Sequence, residues 1–332
     1  MRALVLEGAG LKGLRLRERE EPRPDAGQVL VRLRAAALNH RDLWACRGWK
    51  PGAKPVVLGS DGAGVVAGVG PGVSDPPVGT EVVINPSLHW PAHQPFPGPK
   101  FEILGDPTDG TFAEQVVVPR ENACPKPEHL AFEEAAALPL SSLTAWRALV
   151  TVGRLVPGET VLIPGAGGGT ANACVQLAHA LGARVIATSR DPSKRDRLAA
   201  LGAEPVLDSA SPFAEKVREA TSGAGAALVI ESVGRVTWEE SAKALARGGR
   251  MVVYGSTSGD VVAFNLVPFF LSWQSILGST MGNSGDFAAM LAFVRRHRLR
   301  PTIDRIFPFD EAPQAFCYLD RGEQFGKVVL TF

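Results

Sequence analysis

The residues with the clearest chemical purpose lie between Val161 and Asp208. Gly165, Gly167, Gly168 and Gly169 interrupt an apolar run that begins Val161, Leu162, Ile163. Thr170 follows them, and apolar positions then return at helical spacing through Ala173, Val175, Leu177, Ala178 and Leu181. Gly182 is placed to stop that helix, and Arg184 to Thr188 resumes as a second buried strand. A glycine turn that opens a helix lets bare backbone N–H groups approach a pyrophosphate, and the positive end of the helix dipole favours the same anion. The order strand, turn, helix, strand therefore predicts a dinucleotide site, with Gly167, Gly168, Gly169 and Thr170 at the phosphates. The register departs from the usual fingerprint, because alanines (Ala166 and Ala171) stand at its two ends around Gly168. A tight connection without a ligand is the alternative.

The residues after the second strand bear on which dinucleotide is bound. An acidic side chain there would accept hydrogen bonds from a ribose 2′-hydroxyl, whereas this chain has Ser189 and Arg190, with Lys194 and Arg195 a turn later. A hydroxyl and two or three cations suit a 2′-phosphate, so the pattern predicts NADPH over NADH. A solvated helix face would use the same cations for nothing more than solubility.

The elements that must position these residues differ along the chain. Up to about residue 122, Val29, Val31 and Leu33 alternate with polar residues. Val65, Val66, Val82, Val83 and Ile84 mark further strands between glycine and proline punctuation, giving a compact β domain. From about 123 helix and strand alternate: FEEAAALPLSSLTAWRALV reads as a helix, followed by the glycine-turn unit, Ala227 to Ile230, and GGRMVVYGS. Successive βαβ units predict an α/β fold with a doubly wound parallel sheet and ligands at the carboxyl ends of its strands. Glu231 to Gly234, including Ser232, and Tyr254 to Ser256, including Gly255, follow two such ends and are expected beside the nicotinamide. After Met281 come one helix, DFAAMLAFVRRHR, and a closing strand, GKVVLTF, expected to rejoin the first domain. The run VPFFLSWQSILGSTMG reads as an apolar β segment at the far edge of the sheet. An uncovered edge predicts a homodimer with one continuous sheet; a strand covered within the monomer is the alternative.

With 332 residues, 45% apolar and 21% charged, the chain is long enough for two ordinary cores. Its formal net charge of +1 argues against a polyanionic partner, and no basic stripe interleaved with aromatics supports nucleic-acid binding. No apolar run reaches signal-peptide or membrane-spanning length, so a cytoplasmic location and no membrane partner are expected. Cys46, Cys124, Cys174 and Cys317 form no CxxC pair and are expected to be buried reduced thiols.

The stretches ALNHRDLW, VLGSDGAGVV, LPLSSLTAWRALV, GAGGGTANACVQLAHALGA, GGRMVVYG and FGKVVLTF together resemble the medium-chain dehydrogenase/reductase superfamily over essentially the full length. The resemblance implies a Rossmann domain, residues 123–285, set within a GroES-like catalytic domain formed by 1–122 and 286–332. Zinc-dependent alcohol dehydrogenases of the superfamily carry Cys, His and Cys at the places that here hold Asn39, Ser60 and Leu140. An amide, a hydroxyl and an isobutyl group do not make a competent zinc site. The cysteines of the structural-zinc lobe are also missing between about 86 and 105, so no metal is expected at either place. Without a Lewis acid to stabilise an alkoxide, the resemblance points to the quinone and enone reductase branch. It implies an NADPH-dependent enzyme that passes hydride to a quinone or an α,β-unsaturated carbonyl, a small-molecule substrate. An alcohol or aldehyde dehydrogenase on the same fold and a catalytically silent NADPH-binding sensor are the alternatives.

Roles follow from the resemblance by position. Asn39 would bind substrate oxygen or the nicotinamide ribose and Asp42 would fix the loop; with Ser60 they are the candidate catalytic residues. His40 and Lys327 fall where the family places basic residues on the pyrophosphate, Thr144 near the cofactor, and Thr280 with Met281 where backbone meets the carboxamide. Trp44 and Trp49 are candidate walls for a flat substrate. Tyr254 and Tyr318, the only tyrosines, lie away from the place of an acid beside the substrate, so water is the expected proton source.

Overall fold

In the computed structural model, which describes residues 1–332, the alternating apolar pattern produces ten short strands in the first part of the chain. They are β1 (Arg2–Leu6), β2 (Leu14–Glu18), β3 (Gln28–Ala37), then, after helix α1 (His40–Gly48), β4 (Val56–Val57), β5 (Asp61–Val69), β6 (Glu81–Ile84), β7 (Ser87–Leu88), β8 (Glu102–Ile103), β9 (Gln115–Pro119) and β10 (Ala123–Pro125). Helices α2 (Phe132–Ala136) and α3 (Pro139–Trp146) follow. The middle of the chain alternates: β11 (Thr160–Ile163), α4 (Gly169–Ala180), β12 (Arg184–Thr188), α5 (Pro192–Ala200), β13 (Ala203–Leu207), α6 (Ala214–Ala220), β14 (Ala226–Glu231), α7 (Trp238–Ala244), β15 (Leu245–Val253), α8 (Leu266–Leu271) and β16 (Ser275–Gly278). It closes with α9 (Ser284–His297), β17 (Ile303–Pro308), α10 (Ala312–Arg321) and β18 (Lys327–Thr331).

Two units emerge, Met1–Ser141 with Gly282–Phe332, and Ser142–Met281. In the first, the main sheet runs β10-β6-β5-β3-β18-β17, with β9 also paired to β3. The closing strand is antiparallel to β3, pairing Val329 with Ala37 and Leu330 with Ala36. Leu4, Leu6, Phe112, Phe316, Val328 and Leu330 share one core beneath it. In the second unit all six strands are parallel, in the order β13-β12-β11-β14-β15-β16. The order reverses between β11 and β14, the kind of switch point where open α/β sheets bind ligands. Leu162, Ile186, Val229 and Met251 form the core on one face with Trp238.

Two segments differ from the sequence reading. The single helix expected over FEEAAALPLSSLTAWRALV is broken after Ala136, because Pro139 cannot donate to the preceding turn and instead opens α3. The segment VPFFLSWQSILGSTMG, expected to be β-rich, begins as α8, whose Asn265 side chain caps it by accepting from Val267 N, and only Ser275–Gly278 is a strand. The cysteines are all free thiols, but Cys317 is exposed and Cys124 only half-buried.

The segment from 86 to 105 is organised without cysteine. Trp90 is 3% exposed, meets the Phe101 ring edge-on with centroids 5.3 Å apart, and donates from Nε1 to Gln94 O at 2.9 Å. The Asn283 amide, which caps α9, also donates to Ala92 O and Gln94 O at 3.3 and 3.1 Å. An aromatic pair and a helix cap therefore hold a lobe that contains no thiolates.

Candidate functional site

In the first unit, β3 runs into a turn at Asn39 that starts α1. Asp42 Oδ2 accepts from Asn39 N at 2.8 Å, which fixes that turn. The Asn39 amide is used by the protein itself: Lys327 Nζ donates to Asn39 Oδ1 at 2.6 Å, and Asn39 Nδ2 donates to Asp61 Oδ2 at 2.9 Å. Lys327 Nζ closes the triangle on Asp61 Oδ2 at 2.8 Å. The other Asp61 oxygen accepts from Leu140 N at 2.8 Å, and its carbonyl accepts from Thr111 Oγ1 at 2.8 Å. Asn39, Asp61 and Lys327 are all buried. Asn39, Ser60 and Leu140 thus converge around one carboxylate, the neighbour of Ser60.

The sequence reading missed Asp61 and Arg41. Asp61 carried a signal, being the one charge in LGSDGAGVV, where burial demands a partner. Arg41 donates from Nη1 to Ser60 Oγ at 2.9 Å, while Ser60 Oγ donates to Leu104 O at 2.7 Å. Asp42 has no exposed surface, and its Oδ1 has no hydrogen-bond partner. Burial lifts its pKa to about 6, against the opposing charge of Arg41. His40 is exposed, though protein crowds its ring. That crowding, followed by the charges of Lys327 and Arg47, lowers its pKa. Trp44 is 48% exposed, and Trp49 packs against the core under β18.

The second unit presents the glycine turn. Gly165 adopts φ 61°, and a Cβ there would lie 2.6 Å from Val233 Cγ2, so no larger residue fits. The turn is tied to the end of β12 by Gly165 N donating to Thr188 Oγ1 at 3.1 Å and Ala166 N to Thr188 O at 2.9 Å. Gly168 caps α4 in an extended conformation, and a Cβ on it would meet nothing within 4 Å. A Cβ on Gly167 would lie 3.1 Å from Lys194 Cδ, so that lysine stem crosses the turn. Gly169 and Thr170 form the first turn of α4. Bare backbone, the positive end of a twelve-residue helix and a lysine meet here, which suits a phosphate.

Beyond β12 the charges separate by role. Asp191 caps α5, its Oδ1 accepting from Ser193 N and Oγ at 2.9 and 2.8 Å, and the Ser193 hydroxyl lowers its pKa first among several causes. Arg195 turns inward, donating to Ser189 O at 3.0 Å and lying 3.7 Å from Asp208. Arg190 stays exposed, and Ser189 is buried with its Oγ accepting from Asp191 N at 3.2 Å. The acid nearest the strand end is therefore occupied by a helix cap.

The loop after β14 is built on buried Glu231, which accepts from Val233 N, Gly234 N, Thr237 Oγ1 and Ser241 Oγ at 2.6 to 3.1 Å. It fixes Ser232, whose carbonyl accepts from Thr257 N at 3.2 Å. A Cβ on Gly255 would lie 3.2 Å from that same carbonyl. Burial, and then the neighbouring Cys174, raise the pKa of Tyr254. Thr144 is buried in α3, Thr280 is exposed, and Met281 is buried with φ 44°.

Residues 25–128 match the family described as alcohol dehydrogenase GroES-like domain, and residues 169–296 match the family described as zinc-binding dehydrogenase. A zinc-type alcohol dehydrogenase-like protein of Schizosaccharomyces pombe is 33% identical, covering 98% of this chain and 96% of its own. A crystal structure of an NAD-dependent alcohol dehydrogenase superposes with a TM-score of 0.94 at 40% identity, covering both chains completely. The 2-octenoyl-CoA carboxylase reductase CinF, in complex with NADP and 2-octenoyl-CoA, superposes with a TM-score of 0.89 at 28% identity, covering 99% of this chain and 87% of its own.

Proposed function

This chain belongs to the medium-chain dehydrogenase/reductase superfamily and is an NAD(P)-dependent oxidoreductase, and on that premise we propose that it uses NADPH to reduce a quinone or an α,β-unsaturated carbonyl without zinc. One observation carries the reading. At the positions of the zinc ligands the available oxygens already face cations: Asn39 Oδ1 accepts from the Lys327 ammonium, and Ser60 Oγ accepts from the Arg41 guanidinium. A divalent ion seated there would have to displace both of those hydrogen bonds, and the three positions offer it no thiolate or imidazole. No group of three or more His, Cys, Asp or Glu is placed to share an ion.

Bound beside the acceptor, NADPH would supply the hydride that reduces it. Two electrons and that hydrogen add to the conjugated carbon, negative charge collects on the remote oxygen, and a proton from water completes the reduction. The chain's own part is to orient the acceptor and stabilise the charge on its oxygen. Asn39 and Ser60 line this region, with Asp42 holding the turn. Gly167 to Thr170, with Ser232, Tyr254, Gly255, Thr144 and Thr280, are assigned to the nucleotide, whereas the Lys327 ammonium is taken up by Asn39 and Asp61. NADPH is favoured over NADH because Asp191 is occupied by its helix while exposed Arg190 and the Lys194 stem flank the turn. The NADP complex of CinF supports the same choice.

A second copy is assigned to the β16 edge, beside which Leu266, Val267, Phe270, Leu271 and Trp273 are more than half exposed. No helix is long and apolar enough to cross a membrane, and a cytoplasmic location is proposed.

The test is an NADPH-oxidation screen across quinones, enones and aldehydes, with Michaelis constants for NADPH and NADH on the best acceptor. Turnover of a conjugated acceptor that survives dialysis against EDTA is expected. Alcohol oxidation abolished by the chelator would overturn the reading in favour of the dehydrogenase that the relatives' names suggest.

A further inference from the structure

We propose that Arg41 is the substrate-facing cation of this site, the group that holds the developing oxyanion in a place where related enzymes use a metal. The proposal deepens the reductase reading and rests on it for the identity of the substrate. It rests on geometry for the identity of the residue.

Arg41 stands in the first turn of α1, between His40 and Asp42. Its Nη1 reaches Ser60 Oγ at 2.9 Å and Leu104 O at 3.4 Å, and its Nη2 reaches Asp106 O at 3.3 Å. Ser60 is fully buried and its hydroxyl proton goes to Leu104 O, so a lone pair of Ser60 Oγ faces the guanidinium. The side chain thereby arrives at the second of the three zinc-ligand positions. A guanidinium carries five N–H donors. Those three bonds leave Nε and one hydrogen of Nη2 without a protein acceptor.

Charge separates Arg41 from the other cation nearby. Lys327 is 4% exposed and sits 2.8 Å from the Asp61 carboxylate, which neutralises it. The closest carboxylate oxygen to Arg41 is Asp42 Oδ1 at 4.0 Å, beyond hydrogen-bond reach. Arg41 is also the more accessible of the two cations, with 19% of its side chain exposed against 4% of that of Lys327. A fixed, always-charged fork with spare donors, held by a buried hydroxyl, is suited to an oxygen that gains charge during reaction. The bonds to Leu104 O and Asp106 O are long, as expected of a group not held chiefly as a loop staple.

The test needs no turnover. The full-length protein is titrated with 4-nitrophenol, a planar oxyanion probe whose ionisation is read by visible absorbance. Bound to the wild type, its pKa is expected to fall by about one unit or more, a tenfold preference for the phenolate. Arg41→Gln is expected to abolish that depression and weaken phenolate binding about tenfold, while Arg41→Lys restores part of both. NADPH affinity, followed separately by nucleotide fluorescence, is expected to be unchanged in either variant. A purely structural Arg41 would not move the probe's ionisation. Equal phenolate binding and ionisation in wild type and R41Q overturns the proposal, as does a wild type that does not depress the probe's pKa. Should R41Q not fold, Arg41→Met, which keeps the length of the stem without the charge, carries the test, and wild-type affinity and ionisation in R41M overturn it. If the acceptor screen finds no quinone or enone while the probe response depends on Arg41, the substrate reading fails and the assignment of the cation stands.

Discussion

Lys327 Nζ lies 2.6 Å from Asn39 Oδ1 across 288 residues of sequence, joining the closing strand to the turn that opens α1. Asp61 completes the contact, so the positive charge enters the interior only as part of a neutral triangle.

Breaking that triangle from one side should cost more than removing the charge pair altogether. Lys327→Met strands the Asp61 carboxylate and is expected to lower unfolding stability by about 3–5 kcal/mol, whereas Lys327→Met with Asp61→Asn should recover a large part of the loss. Urea denaturation of the two variants checks this, and equal losses would refute it.

Asp42 gives the stability a specific pH dependence. Its folded pKa, about 6, is raised above the unfolded value, so the folded chain holds the proton more tightly. The stability this contributes is fully present below about pH 4 and is lost as pH rises through about 6, on the order of 2–3 kcal/mol in all. Asp42→Asn removes the titration. The stability of wild type relative to Asp42→Asn should therefore decline between pH 4 and pH 7, and a constant difference would show that Asp42 is not the group responsible.

Nucleotide choice should follow the cations beside the glycine turn. Lys194→Ala combined with Arg190→Ala is expected to raise the Michaelis constant for NADPH about 10- to 100-fold, the worth of a charge-assisted hydrogen bond, with little change for NADH. Parallel loss with both nucleotides would point to the pyrophosphate instead of the 2′-phosphate.

The cysteine-free lobe over residues 86–105 should depend on its indole. Trp90→Ala is expected to cost about 3–5 kcal/mol and to open the segment around residues 91–100 to proteases. Peptide mapping after limited digestion reads the cleavage directly; a resistant variant would mean that the Asn283 bonds suffice.

Association is tested at the sheet edge. Leu271→Asp with Ile276→Lys should convert a dimer to a monomer by light scattering, since charges placed along an exposed apolar edge oppose pairing. A wild type that is already monomeric would dispose of the dimer.

Local signals in the chain were legible where burial and punctuation agreed. Strand β12 could be read because a buried run stands between Gly182 and Ser189, and the turn before α4 because four glycines interrupt an apolar segment. The apolar run VPFFLSWQSILGSTMG read as β, but Asn265 caps a short helix there, and helix propensity over so few residues is too weak to register. Pro139 divides a pattern that otherwise looks like one helix. The partners of Arg41 and Asp61 stayed hidden, since Ser60 and Lys327 lie 19 and 266 residues away and spacing along a chain carries no record of such meetings, even where a lone charge such as Asp61 signals that a partner must exist.

The closing strand between β3 and β17 also fixes an order of events during synthesis. Asn39 and Asp61 leave the ribosome hundreds of residues before Lys327, with the whole parallel-sheet unit emerging between them. Until the lysine arrives, the nascent β unit lacks both a central strand and the counterion for its buried acid. It is then exposed to chaperones and proteases, and premature release or stalling shortly before Lys327 would yield a sound nucleotide unit joined to a catalytic unit that cannot close.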